Sequence, residues 1–370
     1  MFSLREILIS LKKIFPFFLL FTSHIVNSPV AAQEKVIAYY TGNGENIRQF
    51  PLKKLTHVIY SFLHLSHDSL RCKNENQQET LRELVALKKD FPHLKVMVSL
   101  GGWGGCASCS AVFSSEKQRN NFAKTTVALF EKYGIDGLDL DWEYPAIEGY
   151  PGHAYAAADK ENFTALVKSL RKAMGKKYIL SFAAGGFMQY LENAIDWAAV
   201  MPEVDFVNLM TYDLVNGYSK VTGHHTPLYD YKPQQESTRK CVNWLLARGV
   251  PSAKLIIGAA FYARVWEDVL PMHNGLYQAG KFKTGVPFKN FTTYFSDSAG
   301  FQYHWDKQAR APYQYSARNK LFATFDNRRS IRAKVHFVQS KKLGGIMFWE
   351  LSLDLPENGL VDEIYSALHQ

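Results

Sequence analysis

The segment Asp136-Gly137-Leu138-Asp139-Leu140-Asp141-Trp142-Glu143-Tyr144 places an acid at every second position from Asp139 to Glu143. Alternate side chains of a strand share a face, so Asp139, Asp141 and Glu143 point one way, ~6.6 Å apart along the chain, and Leu138, Leu140 and Trp142 point the other. A strand selected for stability alone would carry Val or Ile there, because unpaired buried charge is costly. Neighbouring carboxylates titrate together. The charges of Asp139 and Asp141 are therefore expected to raise the pKa of Glu143, the last acid of the run. A carboxyl that keeps its proton near neutral pH suits general-acid catalysis. Metal binding is the rival chemistry, but it needs His or further acids converging from other strands, and the strand ends here supply mainly aromatic and small residues. A solvated strand with one polar face is the plain alternative. It is disfavoured because both faces of a parallel barrel strand are covered.

The elements around this run alternate between short apolar strands and helical stretches. Strands are predicted at Val36–Tyr40, His57–Phe62, Lys95–Leu100, Gly134–Trp142, Tyr178–Ala183, Val204–Tyr212, Lys254–Tyr262 and Leu343–Glu350. Helical patterns fall at Gln77–Phe91, Glu116–Tyr133, Asp159–Met174, Gln234–Arg248 and Leu360–Leu368. Parallel strands need long crossovers, so the pattern predicts an α/β protein, and eight such units predict a closed (β/α)8 TIM barrel. One stretch, residues 264–322, breaks the rhythm and is rich in aromatics. It is predicted to be a small α+β insertion after the seventh strand, forming one wall of a cleft on the face where such barrels carry their sites.

With these motifs placed, the sequence resembles family 18 glycoside hydrolases of the chitinase type. The D-x-x-D-x-D-x-E signature runs from Asp136 to Glu143, followed by Tyr144-Pro145. Tyr39-Tyr40, Ser99-Leu100-Gly101-Gly102-Trp103, Met210-Thr211-Tyr212-Asp213 and Met347-Phe348-Trp349 match family motifs at other strand ends. Tyr262-Ala263-Arg264 stands where the family often has Tyr-Gly-Arg. The resemblance covers essentially all of residues 33–370 and implies a retaining, substrate-assisted hydrolysis of β-1,4-linked N-acetylglucosamine. By the same resemblance Glu143 is the acid and base, and Asp141 orients the substrate's acetamido group. Asp139 shares a proton with Asp141, assisted by Tyr39 and Ser99, and Tyr212 holds the acetamido group in line. Trp349 becomes the floor under the reacting sugar, with Asp213 and Arg264 touching the same or the next sugar. Tyr144, Met210, Trp103, Phe62 and Gly102 complete the expected substrate-binding set. Trp142, Trp197 and Trp244 are read as core. No metal or organic cofactor is expected. Two other functions fit the same barrel: a sugar-binding lectin, which usually lacks the terminal acid, and an endo-β-N-acetylglucosaminidase acting on N-glycans, which usually lacks the insertion.

Composition excludes several classes. With 47% hydrophobic and 21% charged residues, the 370-residue chain is neither disordered nor a disulfide-dense miniprotein. The net charge of +9 is scattered rather than gathered in a stripe, so no nucleic-acid partner is expected, and a monomer is. Arg5, Lys12 and Lys13 precede the apolar run Ile14–Phe21 and the small residues Val30-Ala31-Ala32, which reads as a cleavable export signal over residues 1–32 and a secreted or periplasmic protein. The run is too short to span a bilayer. Residues 33–370 leave no separate chitin-binding module, so soluble oligomers are the expected substrate form. Export makes disulfides possible among the four cysteines. Cys241 lies on a helical face with Trp244 and Leu245 and is read as a buried thiol. Cys72 is expected to bridge to Cys106 or Cys109; the alternative reading takes Cys106-x-x-Cys109 as a redox or zinc half-site.

Overall fold

The computed structural model describes residues 34–370. The expected export signal at residues 1–32 lies outside the described residues. Eight parallel strands, Lys35–Tyr40, His57–Ser66, Lys95–Gly101, Gly137–Asp141, Ile179–Gly185, Phe206–Met210, Leu255–Ala260 and Gly345–Trp349, each pair with the next. The eighth also pairs with the first, which closes the barrel. The first strand shows how the sequence divides the two faces. Val36, Ala38 and Tyr40 pack outward against the helices, while Ile37 and Tyr39 join Ile59, Met97, Phe206, Ile256 and Met347 inside the barrel.

Three helices have the ends the sequence predicts: Glu116–Tyr133, Asp159–Met174 and Leu360–Leu368. The first ends at Gly134, whose φ of 78° is a left-handed cap that favours glycine. Between the seventh and eighth strands lies the insertion. It is a five-stranded antiparallel sheet in the order Lys281–Pro287, Tyr262–Glu267, Leu321–Thr324, Ala311–Ser316 and Gln302–Asp306, with a short α-helix at Phe291–Tyr294 and short 3-10 turns beside it. Its aromatics form two cores, one on each face: Phe295, Phe301 and Phe325 on one, Trp266, Tyr313 and Phe322 on the other.

Four local expectations change. The fourth strand stops at Asp141, so Glu143 belongs to the loop beyond it. The seventh strand stops at Ala260. Phe261 stacks on Phe348 with centroids 4.1 Å apart, and Tyr262 opens the inserted sheet. The second strand runs on to Ser66 and folds back on Ser69–Arg71 as an antiparallel hairpin. The cysteine pairing also differs: Cys106 bonds Cys109, and Cys72 is free at the end of that hairpin. A turn in which the Cys109 amide donates to the Cys106 carbonyl (3.1 Å) brings their Cα atoms to 5.3 Å, within disulfide range. Cys241 is buried, as read from its helix.

A buried ion pair fixes the point where the chain returns from the insertion to the barrel. Lys334 Nζ lies 2.5 Å from Asp326 Oδ2, and both side chains are fully enclosed. Asp326 also accepts from the Ala260 amide (3.0 Å) and from Thr226 and Ser330 hydroxyls. Removing one partner of such a pair strands a buried charge. Lys334→Ala is therefore expected to cost about 3–5 kcal/mol in chemical denaturation, and a loss below about 1 kcal/mol would show the pair to be dispensable.

Candidate active site

Barrel register brings the first functional group together. Ser99, Asp139 and Ser181 lie side by side on the third, fourth and fifth strands. Asp139, fully buried, accepts four hydrogen bonds: from Tyr39 Oη (2.8 Å) and Ser99 Oγ (3.1 Å) at Oδ2, and from Ser181 Oγ (2.6 Å) and Asn208 Nδ2 (3.1 Å) at Oδ1. Burial raises its pKa, and the four donors work against that rise by favouring the charged form.

Asp141 has a different environment one turn of the pleat closer to the mouth. Its pKa is pushed well up by burial, and next by the charges of Glu143 and Asp139. Its Oδ1 atom is buried with no hydrogen-bond partner. A buried acceptor left open in this way is rare in native proteins and calls for an explanation such as a ligand.

Glu143 is raised to about 7. Burial is the main cause, and the charge of Asp213 adds to it, while a hydrogen bond with Tyr144 works the other way. Removal from water is thus the first cause; the charges of Asp141 and Glu143 act on each other, and the sixth-strand end adds a further charge, Asp213, that the strand's spacing does not show. Asp213 is itself held by a bidentate pair with Arg264 (Nε to Oδ1 2.7 Å, Nη2 to Oδ2 2.6 Å), and Tyr262 Oη donates to it (2.9 Å). Burial works to raise its pKa, but Arg264 and His225 hold it well below the usual carboxylate range. The insertion thus reaches the barrel through this contact.

The aromatic residues fall into two groups. Trp349, half-buried, stacks on Phe62 (5.5 Å between centroids, 17° between planes) and lies 5.8 Å from Tyr39. Tyr212 sits nearby with its ring edge-on to Tyr262 at 6.3 Å and its hydroxyl on the Met347 sulfur. Gly258 makes room for it, since a Cβ there would stand 2.8 Å from the Tyr212 ring. Met210 packs against this interior cluster. On the other side Tyr144 meets Tyr190 and Phe187, and Trp103 is exposed. Gly102, at φ 80°, donates its amide to the Asp141 carbonyl (2.9 Å), and a Cβ there would strike the Phe62 ring at 2.3 Å. Trp142 and Trp197 are buried in the core and Trp244 packs against it.

Sequence reasoning missed Ser181, Asn208, Tyr262 and His225. Ser181 and Asn208 carried a usable signal, since each is a polar residue at an inward position of an otherwise apolar strand. His225, fully buried 3.6 Å from Asp213, lies in the long loop after the sixth strand and packs against Tyr262 of the insertion, a contact that no strand pattern reveals. Among the described residues, no group of three or more His, Cys, Asp or Glu is arranged to hold a metal ion.

Comparison with known proteins agrees with this geometry. The sequence profile described as "Glycosyl hydrolases family 18" matches residues 35–354. The chain belongs to glycosyl hydrolase family 18. It is 30% identical to chitinase A1 of Niallia circulans over 86% of this chain and 56% of that protein, so it spans little more than half of that relative's length. It is also 30% identical to chitotriosidase-1 of Mus musculus, over 86% of this chain and 73% of the relative. Among solved structures, a family 18 N-acetylglucosaminidase from Paenibacillus barengoltzii superposes with a TM-score of 0.82 at 34% identity, covering 90% of this chain and all of the other.

Two outcomes follow from the electrostatics. A carboxyl whose folded pKa lies above its unfolded value stabilises the fold at low pH, and that stability is lost as pH rises through about 7. Glu143→Gln cannot ionise, so its Tm should match wild type near pH 4 and exceed it by a few degrees at pH 8; equal values at pH 8 would refute the raised pKa. Asp213→Asn removes a charge that pushes Glu143 up, so the alkaline limb of a pH–rate profile should move to lower pH. An unmoved limb would show that Asp213 does not act on Glu143.

Proposed function

We propose that this chain hydrolyses β-1,4-linked N-acetylglucosamine polymers and oligomers with retention of configuration, with Glu143 as acid and base and the substrate's own acetamido oxygen as nucleophile. The observation that carries the reading is the open, buried Oδ1 of Asp141 beside a Glu143 carboxyl that holds its proton to about 7. One group lacks a donor, the other has a proton to give, and an N-acetyl sugar answers both. Its N–H supplies the missing hydrogen bond, and its glycosidic oxygen accepts the proton. The names of the chitinase and chitotriosidase relatives support chitin as the substrate, and that of the N-acetylglucosaminidase extends the class to short chains.

In this reading Glu143 protonates the bridging oxygen. The carbon–oxygen bond breaks as the acetamido oxygen bonds to the anomeric carbon, giving an oxazolinium ion whose N–H is held by Asp141. Water then attacks the same carbon, gives a proton to Glu143 and reopens the ring, which restores the starting state. Asp139, fixed by four donors, shares a proton with Asp141 as the charge changes. Tyr212 keeps the acetamido group in line, a proximity effect. Trp349 offers its face to the C–H face of the reacting sugar, and Asp213 and Arg264 border it. Residues 33–370 form the catalytic unit and residues 264–322 its cleft wall. Residues 1–32 serve as an export signal, which makes the protein secreted or periplasmic. No helix among the described residues is long and apolar enough to cross a membrane. A lectin on the same barrel would have no use for a proton on Glu143, and its retention favours catalysis.

Glu143→Gln is expected to lower kcat on a fluorogenic chitobiose substrate by about 10²–10⁴-fold while oligomer binding persists. Asp141→Asn should be similarly impaired. Hydrolysis of a high-mannose glycoprotein in preference to the chitobiose substrate would instead identify an N-glycan endoglycosidase, and efficient cleavage of cello-oligosaccharides would contradict the acetamido mechanism.

A further inference from the structure

Glu143 stands past the end of its strand, so no ladder of backbone hydrogen bonds holds it. Its stretch of chain is held instead by the two loops on either side. The Gly102 amide, from the loop after the third strand, donates to the Asp141 carbonyl (2.9 Å), and a Cβ on Gly101 would stand 2.1 Å from that same oxygen. The Tyr150 amide, from the loop after the fourth strand, donates to the Glu143 carbonyl (3.4 Å), and a Cβ on Gly149 would stand 2.1 Å from it. Between these two points the Trp142 ring packs on Phe113 with centroids 5.8 Å apart. Asp141, Trp142 and Glu143 are thus each gripped from outside their own strand.

One covalent bond closes the first of these loops. Gly101, Gly102 and Gly104 have φ of 113°, 80° and 87°, and glycine adopts either sign of φ with similar ease, so this segment alone has many alternatives. The turns that follow remove that freedom. The Gly105 amide donates to the Gly102 carbonyl (2.8 Å), the Cys106–Cys109 disulfide locks the next turn, and both cysteines are buried. Cys109 opens the short helix Cys109–Phe113, so the same bond fixes the helix whose last residue packs on Trp142. From this helix Ser110 Oγ donates to Asp159 Oδ1 (3.0 Å), and Asp159 Oδ2 accepts from the Ala156 amide (2.8 Å), which ties the third-strand loop to the fourth. The Tyr150 ring lies over Gly104, where a Cβ would stand 3.2 Å from it, and joins the two loops a second time.

We propose that the Cys106–Cys109 disulfide is a clamp that positions Glu143, so that full activity requires the bond to be formed. The inference rests on the proposed function. Cys106 and Cys109 touch no reacting atom and are positioning residues. With the bond intact, the grip on residues 141–143 holds the Glu143 carboxyl in place and away from water. A dithiol reductant supplies two electrons and two protons: the sulfur–sulfur bond breaks into two thiols, and the reductant closes to its own disulfide. The glycine segment then regains the conformations that the cross-link had excluded. Asp141, Trp142 and Glu143 lose one side of their support, and water reaches the acid. Tyr212 and Trp349 stand on other strands and keep their hold on the sugar, so the chemical step weakens more than binding does.

The test compares oxidised wild type, wild type reduced with dithiothreitol and then reoxidised, and the Cys106→Ala/Cys109→Ala double variant, all on the fluorogenic chitobiose substrate. Mass spectrometry counts the thiols, and a cooperative thermal transition shows that each form is folded. The double variant makes the comparison without the need to reach a buried bond; if it does not fold, the reduced wild type decides. Both forms without the bond should show a kcat lower by about 10- to 100-fold, the loss expected of a ~1 Å misplacement, with KM little changed. The alkaline limb of their pH–rate profile should move to lower pH, because water admitted to Glu143 favours its charged form. Reoxidation should restore both. A kcat that survives loss of the bond, or a lower kcat with an unmoved alkaline limb, would overturn the clamp while leaving the proposed function standing. Failure of the oxidised wild type on every chito-oligosaccharide would overturn the proposed function and the clamp with it.

Discussion

Three carboxylates share the axis of a closed barrel, and keeping them there without unfolding it is the constraint on which the other features depend. Asp139 meets it by accepting four hydrogen bonds from four different strands, so its position is set by the barrel as a whole. Asp141 has no such cradle at Oδ1. Glu143, past the end of the strand, shares the low-dielectric surroundings and keeps its proton up to about 7. Environment separates three chemically similar groups into a fixed anchor, an open acceptor and a proton donor, which is how one site obtains distinct roles from one residue type.

The insertion is tied to this gradient in two places. Arg264, on the strand Tyr262–Glu267 that opens the inserted sheet, holds Asp213, and Asp213 in turn pushes on Glu143. The buried Lys334–Asp326 pair locks the return of the chain beneath the seventh strand. The cleft wall and the acid are therefore parts of one electrostatic arrangement, and a shift of the wall would be felt at the proton.

Much of this was legible in the sequence. Period-two alternation placed Asp139 and Asp141 on one face of the fourth strand, while Glu143 stands in the loop beyond its end. The recurrence of apolar runs gave the barrel, and the aromatic break gave the insertion, whose sheet spans Tyr262–Thr324. What stayed hidden was whatever depends on two distant segments meeting. Asp213 paired with Arg264, and His225 packed against Tyr262, need the barrel and the insertion together. The main cause of the Glu143 shift is depth of burial, which spacing along one strand does not report. The disulfide was misjudged because Cys109 begins a short helix, and its turn brings Cys106 within reach while Cys72 ends a separate hairpin.

The central claim is that removal from water keeps a proton on Glu143 at neutral pH. Infrared difference spectra of wild type against Glu143→Gln, recorded from pH 4 to 9, read that proton directly through the carboxylic acid C=O band. A band belonging to Glu143 that persists at pH 6 and disappears with a midpoint near 7 is the predicted result. A midpoint at the ordinary glutamate value, ~4.3, would contradict it.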